Sequence, residues 1–470
     1  MKKIFMLFVI AIFGVACQKE DSTKPATNNS QPTGNSLITS EITLGENNKF
    51  SFFNQIIADG QGSFFFSGQL NGLRIVGKID TKGSIVWQRN LNFIDTSLRL
   101  FDGEGSLKNS LLIAGRTGNT NDATGRGVVA LYNANGNLVS DISFAEHSLI
   151  FFNDVTVEAT GFTDNSIKYI GIAIGGAGNN TNDVAPYYAT FAINSQGILS
   201  KKFPIAERLA QYPQTRFGRF PTSYDPAGNY GGVGSGETGG GTGGGGSMSY
   251  MKIIMSKYLS YYQRNSSGLN IDVGVMKMDI DFEFLNSNTS SYSNFTQFTW
   301  RKQVNPQSTI YSNYIDDLVI LGGDIYTIGR ASTEDGKNAK PNDGYWASGQ
   351  ICKLNKDGNI LYNRILTTSK NSDRFFSITF HQGVFYVCGE ASTFTLNSGK
   401  NHFGYAWAAK IDPNSGNLLG SKTFGKDDSR AVFNSIVIEN NRLFTVGYKG
   451  YQSDNKESKA WFAEIDHNGL

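Results

Sequence analysis

The sequence predicts an all-β fold, a single seven-bladed β-propeller of four-stranded antiparallel blades. Three observations predict it: a turn pattern that returns seven times, an apolar strand that recurs upstream of most of these turns, and a strand-like segment near the N-terminus that can complete the last blade. Glycine is abundant, with 54 residues, and aromatic residues make up 13% of the chain. This composition favours strands and turns over helices.

The recurring turn has an apolar residue, then Asp or Asn, then usually Gly three positions later. The side-chain oxygen of Asp or Asn can accept hydrogen bonds from the backbone ahead of it, and Gly adopts the left-handed conformation that completes a short hairpin. The copies stand at Asp80 with Gly83, Asn133 with Gly136, Asn194 with Gly197, Asn355 with Gly358, Asp412 with Gly416, Asp466 with Gly469, and Asp279, where Phe282 replaces the glycine. We count seven blades from these copies, and the fourth, at Asp279, is irregular.

A second unit stands upstream of most copies, an apolar strand that ends in glycine. These strands end at Gly68, Gly115, Gly329, Gly389 and Gly447. Before them lies another strand, which opens with Phe-Asn at Asn54, Asn153 and Asn434. Each period therefore contains four strands, which is one propeller blade. An open β-solenoid and a pair of β-sandwiches are the alternative architectures.

The two ends of the chain together predict a closed ring. The chain stops at Leu470, where the outer strand of the last blade should begin, and residues 36–45 read like that missing strand. Supplying it from the other end protects the sheet edges. The propeller domain is therefore residues 36–470, with a glycine-rich insertion at 231–247 that we expect to be disordered. A phosphate-binding loop is the alternative for this insertion, but no Gly-Lys-Ser/Thr ending follows it.

The N-terminus predicts export and a lipid anchor. Two lysines precede an apolar run from Ile4 to Ala16, which is too short to span a bilayer and fits the core of a signal peptide. The small residues before Cys17 resemble the lipobox of bacterial lipoproteins. That resemblance implies cleavage after residue 16 and acylation, for example by palmitate, of Cys17. An ordinary secretory signal that ends near a cysteine is the alternative.

The residues after the cysteine predict the destination. They resemble the acidic export signal of Bacteroidetes-type surface lipoproteins, and the signal residues are Gln18, Lys19, Glu20 and Asp21. The resemblance implies display on the outer face of the outer membrane. Residues 17–35 contain little apolar surface after this signal and read as a flexible tether.

The repeats resemble degenerate quinoprotein-type and kelch-type propellers. Residues 411–417 look like the quinoprotein blade motif, although Gly420 stands where that motif has Trp, and Trp87 holds a similar place in the first blade. The resemblance implies the fold and says little about chemistry. A redox quinoprotein is the weakest functional option, because the blade tryptophans are mostly missing.

Two sets of residues are candidate sites. Loops between second and third strands collect binding residues on one face of a propeller, and the candidate ligand face comprises Tyr345, Trp346, His402, Phe403, Tyr405, Tyr448 and Tyr451. Capping of blade edges is the alternative role for these residues. The candidate channel lining comprises Asn54, Asn153, Asp316, Asp317 and Asn434. These could hold water, a cation or a small ligand, or could hydrogen-bond neighbouring blades.

Composition and motifs exclude several functions. A net charge of +2 without a basic stripe argues against nucleic acid. The four histidines are scattered, so we expect no metal, cofactor or catalytic residue, and the acidic turns at 102–105 and 279–281 lack a full calcium-ligand set. Cys352 and Cys388 read as buried hydrophobes, and a disulfide between them stays open.

We expect a monomeric, non-catalytic binding or scaffold lipoprotein that recognises a glycan or an envelope protein through its loop face. An enzyme of glycan or peptide breakdown is the first alternative, and it predicts converging carboxylates in the channel mouth. A scaffold of outer-membrane assembly, similar to the propeller lipoprotein of outer-membrane protein insertion, is the second.

Overall fold

The computed structural model describes the chain from Leu37 to Leu470 with several internal gaps. The residues outside the description are 1–36, 119–124, 160–166, 179–183, 201–205, 209–214, 225–232, 236–249, 265–269, 286–293, 305–313, 333–346, 369–371, 394–402, 426–428 and 453–456. The predicted signal peptide, Cys17, the predicted export signal and the predicted glycine-rich insertion, except for its residues 233–235, therefore lie outside the described residues.

The described residues form 31 strands and one 3-10 turn, and the predicted architecture is confirmed. Seven blades of four antiparallel strands stand in a ring. Blades one to three contain β2 (Phe52–Ala58), β3 (Ser63–Leu70), β4 (Leu73–Asp80) and β5 (Ile85–Asn90); β6 (Ile94–Phe101), the 3-10 turn η1 (Gly105–Leu107), β7 (Ser110–Arg116), β8 (Gly127–Tyr132) and β9 (Leu138–Phe144); and β10 (Leu149–Ala159), β11 (Tyr169–Gly178), β12 (Ala185–Ile193) and β13 (Leu199–Ser200).

The remaining blades follow the same order from the inside of the ring outward. Blades four to seven contain β15 (Thr215–Phe217), β18 (Tyr250–Arg264), β19 (Asn270–Leu285) and β20 (Asn294–Gln303); β21 (Tyr314–Leu321), β22 (Asp324–Ser332), β23 (Ala347–Leu354) and β24 (Ile360–Leu366); β25 (Ser372–His381), β26 (Val384–Thr393), β27 (Phe403–Ile411) and β28 (Leu418–Phe424); and β29 (Arg430–Glu439), β30 (Arg442–Gln452), β31 (Glu457–Ile465) and β1 (Ile38–Leu44). Three short strands lie outside this pattern: β14 (Ala206–Arg208), β16 (Thr222–Ser223) and β17 (Val233–Ser235).

The N-terminal strand closes the ring as predicted. β1 pairs antiparallel with β31 from Ile38 opposite Ile465 to Leu44 opposite Ala460. The Leu37 carbonyl accepts a 2.8 Å hydrogen bond from the Asp466 amide. The strand order of the last blade is therefore β1-β31-β30-β29, with both chain ends in one sheet.

Five of the predicted Asp and Asn turns join the third and fourth strands of their blades, and Asp466 follows the third strand of the last blade. In the first blade one carboxylate oxygen of Asp80 accepts the amides of Lys82 at 2.9 Å and Ser84 at 2.8 Å. Gly83 has a φ of +84°, which an L-residue adopts only with strain. Asn133, Asn194 and Asn355 accept the same two amides in their own turns.

The fourth blade corrects the prediction at Asp279, because that copy is no turn. Met278 pairs with Phe298 after a register shift, just as Ile79 pairs with Ile85 in the first blade. The two strands then continue, and Phe282 pairs with Asn294. Without a glycine to take positive φ, and with alternating apolar residues ahead, the chain extends the hairpin instead of reversing.

The recurring glycine of the second strand is explained by a β-bulge in the innermost strand. The register of β2 against β3 shifts around Asn54, and a Cβ on Gly68 opposite would overlap the carbonyl oxygen of Phe52. Gly115, Gly175, Gly329, Gly389 and Gly447 face equivalent carbonyl oxygens in five further blades. The glycine is thus required for close backbone approach beside a bulge.

The apolar cores lie between adjacent blades. Between the last and first blades the ring of Phe64 lies 4.7 Å from that of Phe444 and 5.9 Å from that of Phe462. Outer-strand aromatics also contact the turn of the next blade: Trp87 donates its Nε1–H to the Ala134 carbonyl at 3.1 Å, and Trp300 packs at Gly358. Each blade therefore depends on its neighbours for burial.

Candidate functional site

Polar side chains at the innermost bulges link neighbouring blades at five of the seven junctions. Thr96 donates to the Phe152 carbonyl at 2.5 Å, Asn153 to the Phe217 carbonyl at 2.6 Å, and Asn434 to the Phe53 carbonyl at 2.7 Å. Asn54 donates to a carboxylate oxygen of Asp95 at 3.2 Å, and Asp316 pairs with Arg374 of the next blade. These bonds satisfy buried polar groups and join the blades around the channel.

The channel contains a cavity of about 590 Å³, here called the central cavity. Four of the five residues predicted to line the channel line this cavity: Asn54, Asp316, Asp317 and Asn434. Asn153 is not among its lining residues and makes the inter-blade bond described above. A volume of this size lies within the range of small-molecule sites.

Residues 218–224, here called the crossing segment, leave the fourth blade and run through the channel. At the start of this segment, the Arg219 guanidinium donates to the Thr96 carbonyl of blade two at 2.8 Å. At its end Thr222 and Ser223 form β16, which pairs in parallel with β21 of blade five. The hydroxyls of Tyr224 and Thr379 of blade six lie 3.0 Å apart. Contacts with blades on both sides of the ring place this segment across the channel.

A buried ion pair holds the crossing segment on its blade-two and blade-three side. Asp154 is fully buried and pairs with Arg99, whose Nε lies 3.0 Å from one carboxylate oxygen. The Phe220 amide donates to Asp154 at 2.9 Å, and Arg99 donates back to the Phe220 carbonyl at 2.8 Å. Burial alone would raise the pKa of Asp154, but the charge and hydrogen bonds of Arg99 outweigh it and lower that pKa.

Asp317 holds the equivalent position in blade five, without a counter-ion. Its carboxylate accepts the amides of Leu318 at 2.9 Å and Ile378 at 3.1 Å. No ion pair to Asp317 exists among the described residues. Burial raises the pKa of Asp317 to about 6, and the amides together with the more distant charges of Arg99 and Arg219 offset only part of this shift.

The first-to-second and third-to-fourth strand turns lie on one face of the ring, here called the turn face. The second strands end and the third strands begin at the opposite face, here called the loop face. On the loop face the Tyr314 ring lies between two guanidinium groups, with Arg330 at 4.3 Å and Arg374 at 4.8 Å from its centroid. Arg330 has no ion pair within the described part of the chain, and its Nε is buried without a hydrogen-bond partner. Burial, together with the charge of Arg374, lowers the pKa of Arg330.

The predicted ligand face is described only in part. Tyr345, Trp346 and His402 lie outside the described residues, while Phe403 begins β27 and Tyr451 lies in β30. Tyr405 is buried, with 7% of its surface exposed, and Tyr448 is half-buried with Arg430 at 6.0 Å from its ring. The loop-face aromatics that the structure does describe therefore pack partly into the blades.

The two cysteines and the acidic side chains are the remaining groups with possible chemistry. Cys352 and Cys388 are free and buried, and burial raises the pKa of Cys352 to about 12. Over the described ranges no cluster of three His, Cys, Asp or Glu side chains could hold a metal ion. A search of the same ranges finds no helix long and apolar enough to cross a membrane.

Sequence reasoning missed the arginines that organise the channel and loop face. Arg99, Arg219, Arg330 and Arg374 stand in ordinary strand-like or polar contexts, and their partners lie far along the chain. One signal was available: Arg99 and Arg374 lie within a few residues of the bulge that the Phe-Asn pattern marks in other blades. Aligning the innermost strands by that bulge places Asp154 and Asp317 at one position.

Comparison with known proteins assigns neither a family nor an activity to this chain. No protein-family model matches the chain, and no curated protein sequence matches it. Among solved structures it is similar to a virginiamycin B lyase from Staphylococcus aureus solved with quinupristin, at 8% identity and a TM-score of 0.39, covering 91% of this chain and 99% of that one. A GH93 α-L-arabinofuranosidase of Fusarium graminearum matches at 9% identity and a TM-score of 0.39, covering 92% and 99% of the two chains. Drosophila plexin A, in complex with semaphorin 1b, matches at 10% identity and a TM-score of 0.39, covering 91% of this chain and 86% of that one. Enzymes and binding proteins both occur among these neighbours, so they assign no activity.

Proposed function

We propose that this chain is a lipid-anchored, non-catalytic binding protein of the cell surface. In this proposal the signal peptide 1–16 is removed, Cys17 is acylated, and residues 17–35 tether the propeller to the outer face of the outer membrane. The loop face then recognises an acidic group of a glycan or of an envelope protein. Because several acyl chains are buried, such an anchor would be firm.

The position of β1 supports outward presentation of the loop face. β1 is the outermost strand of the last blade, and its first residue lies beside the Asp466 turn. That turn belongs to the turn face, so a tether that precedes Leu37 joins the ring at the rim of the turn face. The loop face is on the other side of the ring, away from this attachment.

The unpaired guanidinium of Arg330 carries the proposal for ligand recognition. The buried Nε of Arg330 without a hydrogen-bond partner is costly, and the charge of Arg374 across the Tyr314 ring adds repulsion that the nearby charge of Asp316 offsets only in part. A ligand carboxylate, sulfate or phosphate placed against Arg330 would supply the missing charge and accept hydrogen bonds in a forked geometry. Acidic glycans and acidic peptide segments share this chemistry.

A glycan array of acidic and matched neutral glycans, together with a pull-down from intact membranes, tests the ligand. We expect selective retention of acidic ligands, and a loss of at least tenfold in affinity for Arg330→Gln. Arg442→Gln is the matched control, because Arg442 is an exposed arginine already paired with Glu464 outside the loop face. Equal binding by both variants, or turnover of a substrate without stable binding, would refute the proposal.

Localisation is tested separately. Cys17→Ser should abolish incorporation of radiolabelled palmitate, and replacement of residues 18–21 by neutral residues should protect the protein from protease added to whole cells. If protease removes the neutral variant as quickly as the original chain, the export signal is elsewhere. Protection of the original chain would favour the inward-facing assembly scaffold.

An enzyme of glycan or peptide breakdown remains the alternative, and one observation favours it. Asp316 and Asp317 are adjacent at the central cavity, and Asp317 holds its proton to about pH 6, as a general acid would. Against this, both oxygens of Asp316 are engaged by Arg374, and both oxygens of Asp317 accept backbone amides. Hydrolysis or elimination that disappears in Asp317→Asn would support the enzyme.

A further inference from the structure

We propose that the central cavity binds a short peptide in its zwitterionic form, with the peptide carboxylate against Arg219 and its ammonium group against Asp317. This site lies inside the ring, apart from the loop face, and is independent of the ligand proposed there.

The central cavity has the size and access that such a ligand needs. It measures about 590 Å³ and is lined by innermost strands of blades one, two, five, six and seven and by the crossing segment. Leu100, one of its lining residues, is 40% exposed, and Thr222 is also exposed, so solvent reaches the cavity. Both residues lie toward the turn face, where their strands end.

Arg219 is a cation of the cavity that forms no ion pair within the described ranges, although its charge acts on Asp154 and Asp317. Its guanidinium makes one hydrogen bond among the described residues, from Nη1 to the Thr96 carbonyl. A guanidinium carries five N–H donors, so most of its donors remain available. Arg99, the other arginine lining the cavity, is already neutralised by Asp154. A carboxylate entering the cavity would therefore find its partner in Arg219.

Asp317 is the anion of the cavity that has no counter-ion. The other charged groups near it are Arg99, Arg219 and Asp316, and Asp316 is paired with Arg374. The nearby Cys388 thiol stays neutral because burial raises its pKa well above the usual value. An ammonium group near Asp317 would stabilise the ionised carboxylate and offset the cost of its burial.

The two charges reach the central cavity from different elements, Arg219 from the crossing segment and Asp317 from β21 of blade five. The Arg219 guanidinium reaches blade two at Thr96, and the Asp317 carboxylate bonds the Ile378 amide between blades five and six. A peptide fills more of the cavity of about 590 Å³ than a single amino acid does, since each extended residue adds about 3.3–3.6 Å of length.

The channel walls also offer the backbone groups that a peptide uses. β2 and β29 are end strands of their sheets, so one edge of each faces the channel. The Phe53 and Ile56 carbonyls of β2 and the Phe433 carbonyl of β29 already accept hydrogen bonds from neighbouring blades, and a peptide would use the other backbone groups of these edges. The chain itself shows that such an edge accepts an extended segment, because β16 pairs in parallel with β21. A short peptide beside β2 or β29 would repeat this arrangement.

Calorimetry with alanine peptides tests the proposal on the full mature chain. The probes are trialanine, its N-acetyl form and its C-terminal amide, titrated at pH 7. We expect trialanine to bind, and each blocked form to bind at least tenfold more weakly. Arg219→Gln should bind trialanine and its C-terminal amide equally. Asp317→Asn should bind trialanine and its N-acetyl form equally.

Two controls separate this site from structural damage and from the loop face. Arg216→Gln alters a neighbouring arginine of β15 that packs over Phe151 and does not line the cavity, and it should leave trialanine binding unchanged. Arg330→Gln should also leave it unchanged, even if it abolishes loop-face binding. Because Asp317→Asn could impair folding, the blocked peptides on the original chain decide on their own. Absence of trialanine binding, equal binding of all three probes, or equal binding of trialanine and its acetylated form would overturn the proposal.

Discussion

Asp154 in blade three and Asp317 in blade five occupy one structural position but have opposite electrostatics. Each follows the bulge of its innermost strand, and each accepts the amide of the next residue and an amide from the following blade region. Arg99 neutralises Asp154 and lowers its pKa, whereas no arginine pairs with Asp317, whose pKa rises to about 6. A ring of similar blades can thus use one position for stability and leave its counterpart poised for a ligand or proton.

Removing the arginine that distinguishes the two positions should have the largest effect. Arg99→Ala leaves the Asp154 carboxylate buried without its partner, and we expect the free energy of unfolding to fall by about 3–5 kcal/mol at pH 7. Urea denaturation followed by tryptophan fluorescence measures this. Arg442→Ala, which breaks an exposed pair with Glu464, should cost at most about 1 kcal/mol. Similar losses in the two variants would mean that the Asp154 pair does not stabilise the ring.

The two aspartates should give opposite pH dependences of stability. The pKa of Asp317 is raised in the folded state, so the folded chain binds more protons between about pH 4 and 6, and stability falls as pH rises through that window, by about 3 kcal/mol. Asp317→Asn should remove this fall. The pKa of Asp154 is lowered, so its contribution is present above about pH 4 and is lost as pH falls further.

Urea denaturation from pH 3 to 8 measures both slopes, and Asp154→Asn serves as the matched variant. Subtracting each variant curve from that of the original chain isolates each carboxyl. If both difference curves changed with pH in the same direction, the electrostatic contrast between Asp154 and Asp317 would be contradicted.

The bulge itself should be equally important in both blades. A Cβ on Gly175 would overlap the Phe151 carbonyl oxygen, and one on Gly329 would overlap that of Tyr314. We therefore expect Gly175→Ala and Gly329→Ala each to lower the free energy of unfolding by about 2 kcal/mol, because a backbone carbonyl can shift only by distorting its strand. Gly322→Asn is the control, since this position has open space and a φ of +60° that Asn tolerates. Thermal unfolding by circular dichroism compares them, and a neutral result at either glycine would argue against the bulge there.

The hydrogen bond of Asn153, at the bulge of blade three, should contribute least to the free energy of unfolding. Asn153→Ala removes its hydrogen bond to the Phe217 carbonyl and should cost about 1 kcal/mol. Asn135→Ala, in an exposed turn where only the backbone amide is used, should change stability by less. The same urea experiment applies, and a loss as large as that of Arg99→Ala would show that this link carries more than one hydrogen bond's energy.

Much of the fold could be predicted because its signals are local. An Asp or Asn followed by Gly encodes a hairpin through hydrogen bonds within five residues, as the Asp80 turn shows. The prediction at Asp279 was wrong where that local signal was incomplete: the position in the blade was right, but the chain does not turn without the glycine. The crossing segment had no local signal, because its contacts are with other blades.

The sequence by itself determined the blade unit, the number of blades and the closure of the ring by residues 36–45, since each rests on turn chemistry or on the alternation of neighbouring residues. Only the tertiary structure decided which charges are paired. Arg99 and Asp154 lie 55 positions apart, and Arg219 reaches Thr96 across 123. Electrostatic energy depends on distance and burial in three dimensions, and a chain pattern contains neither.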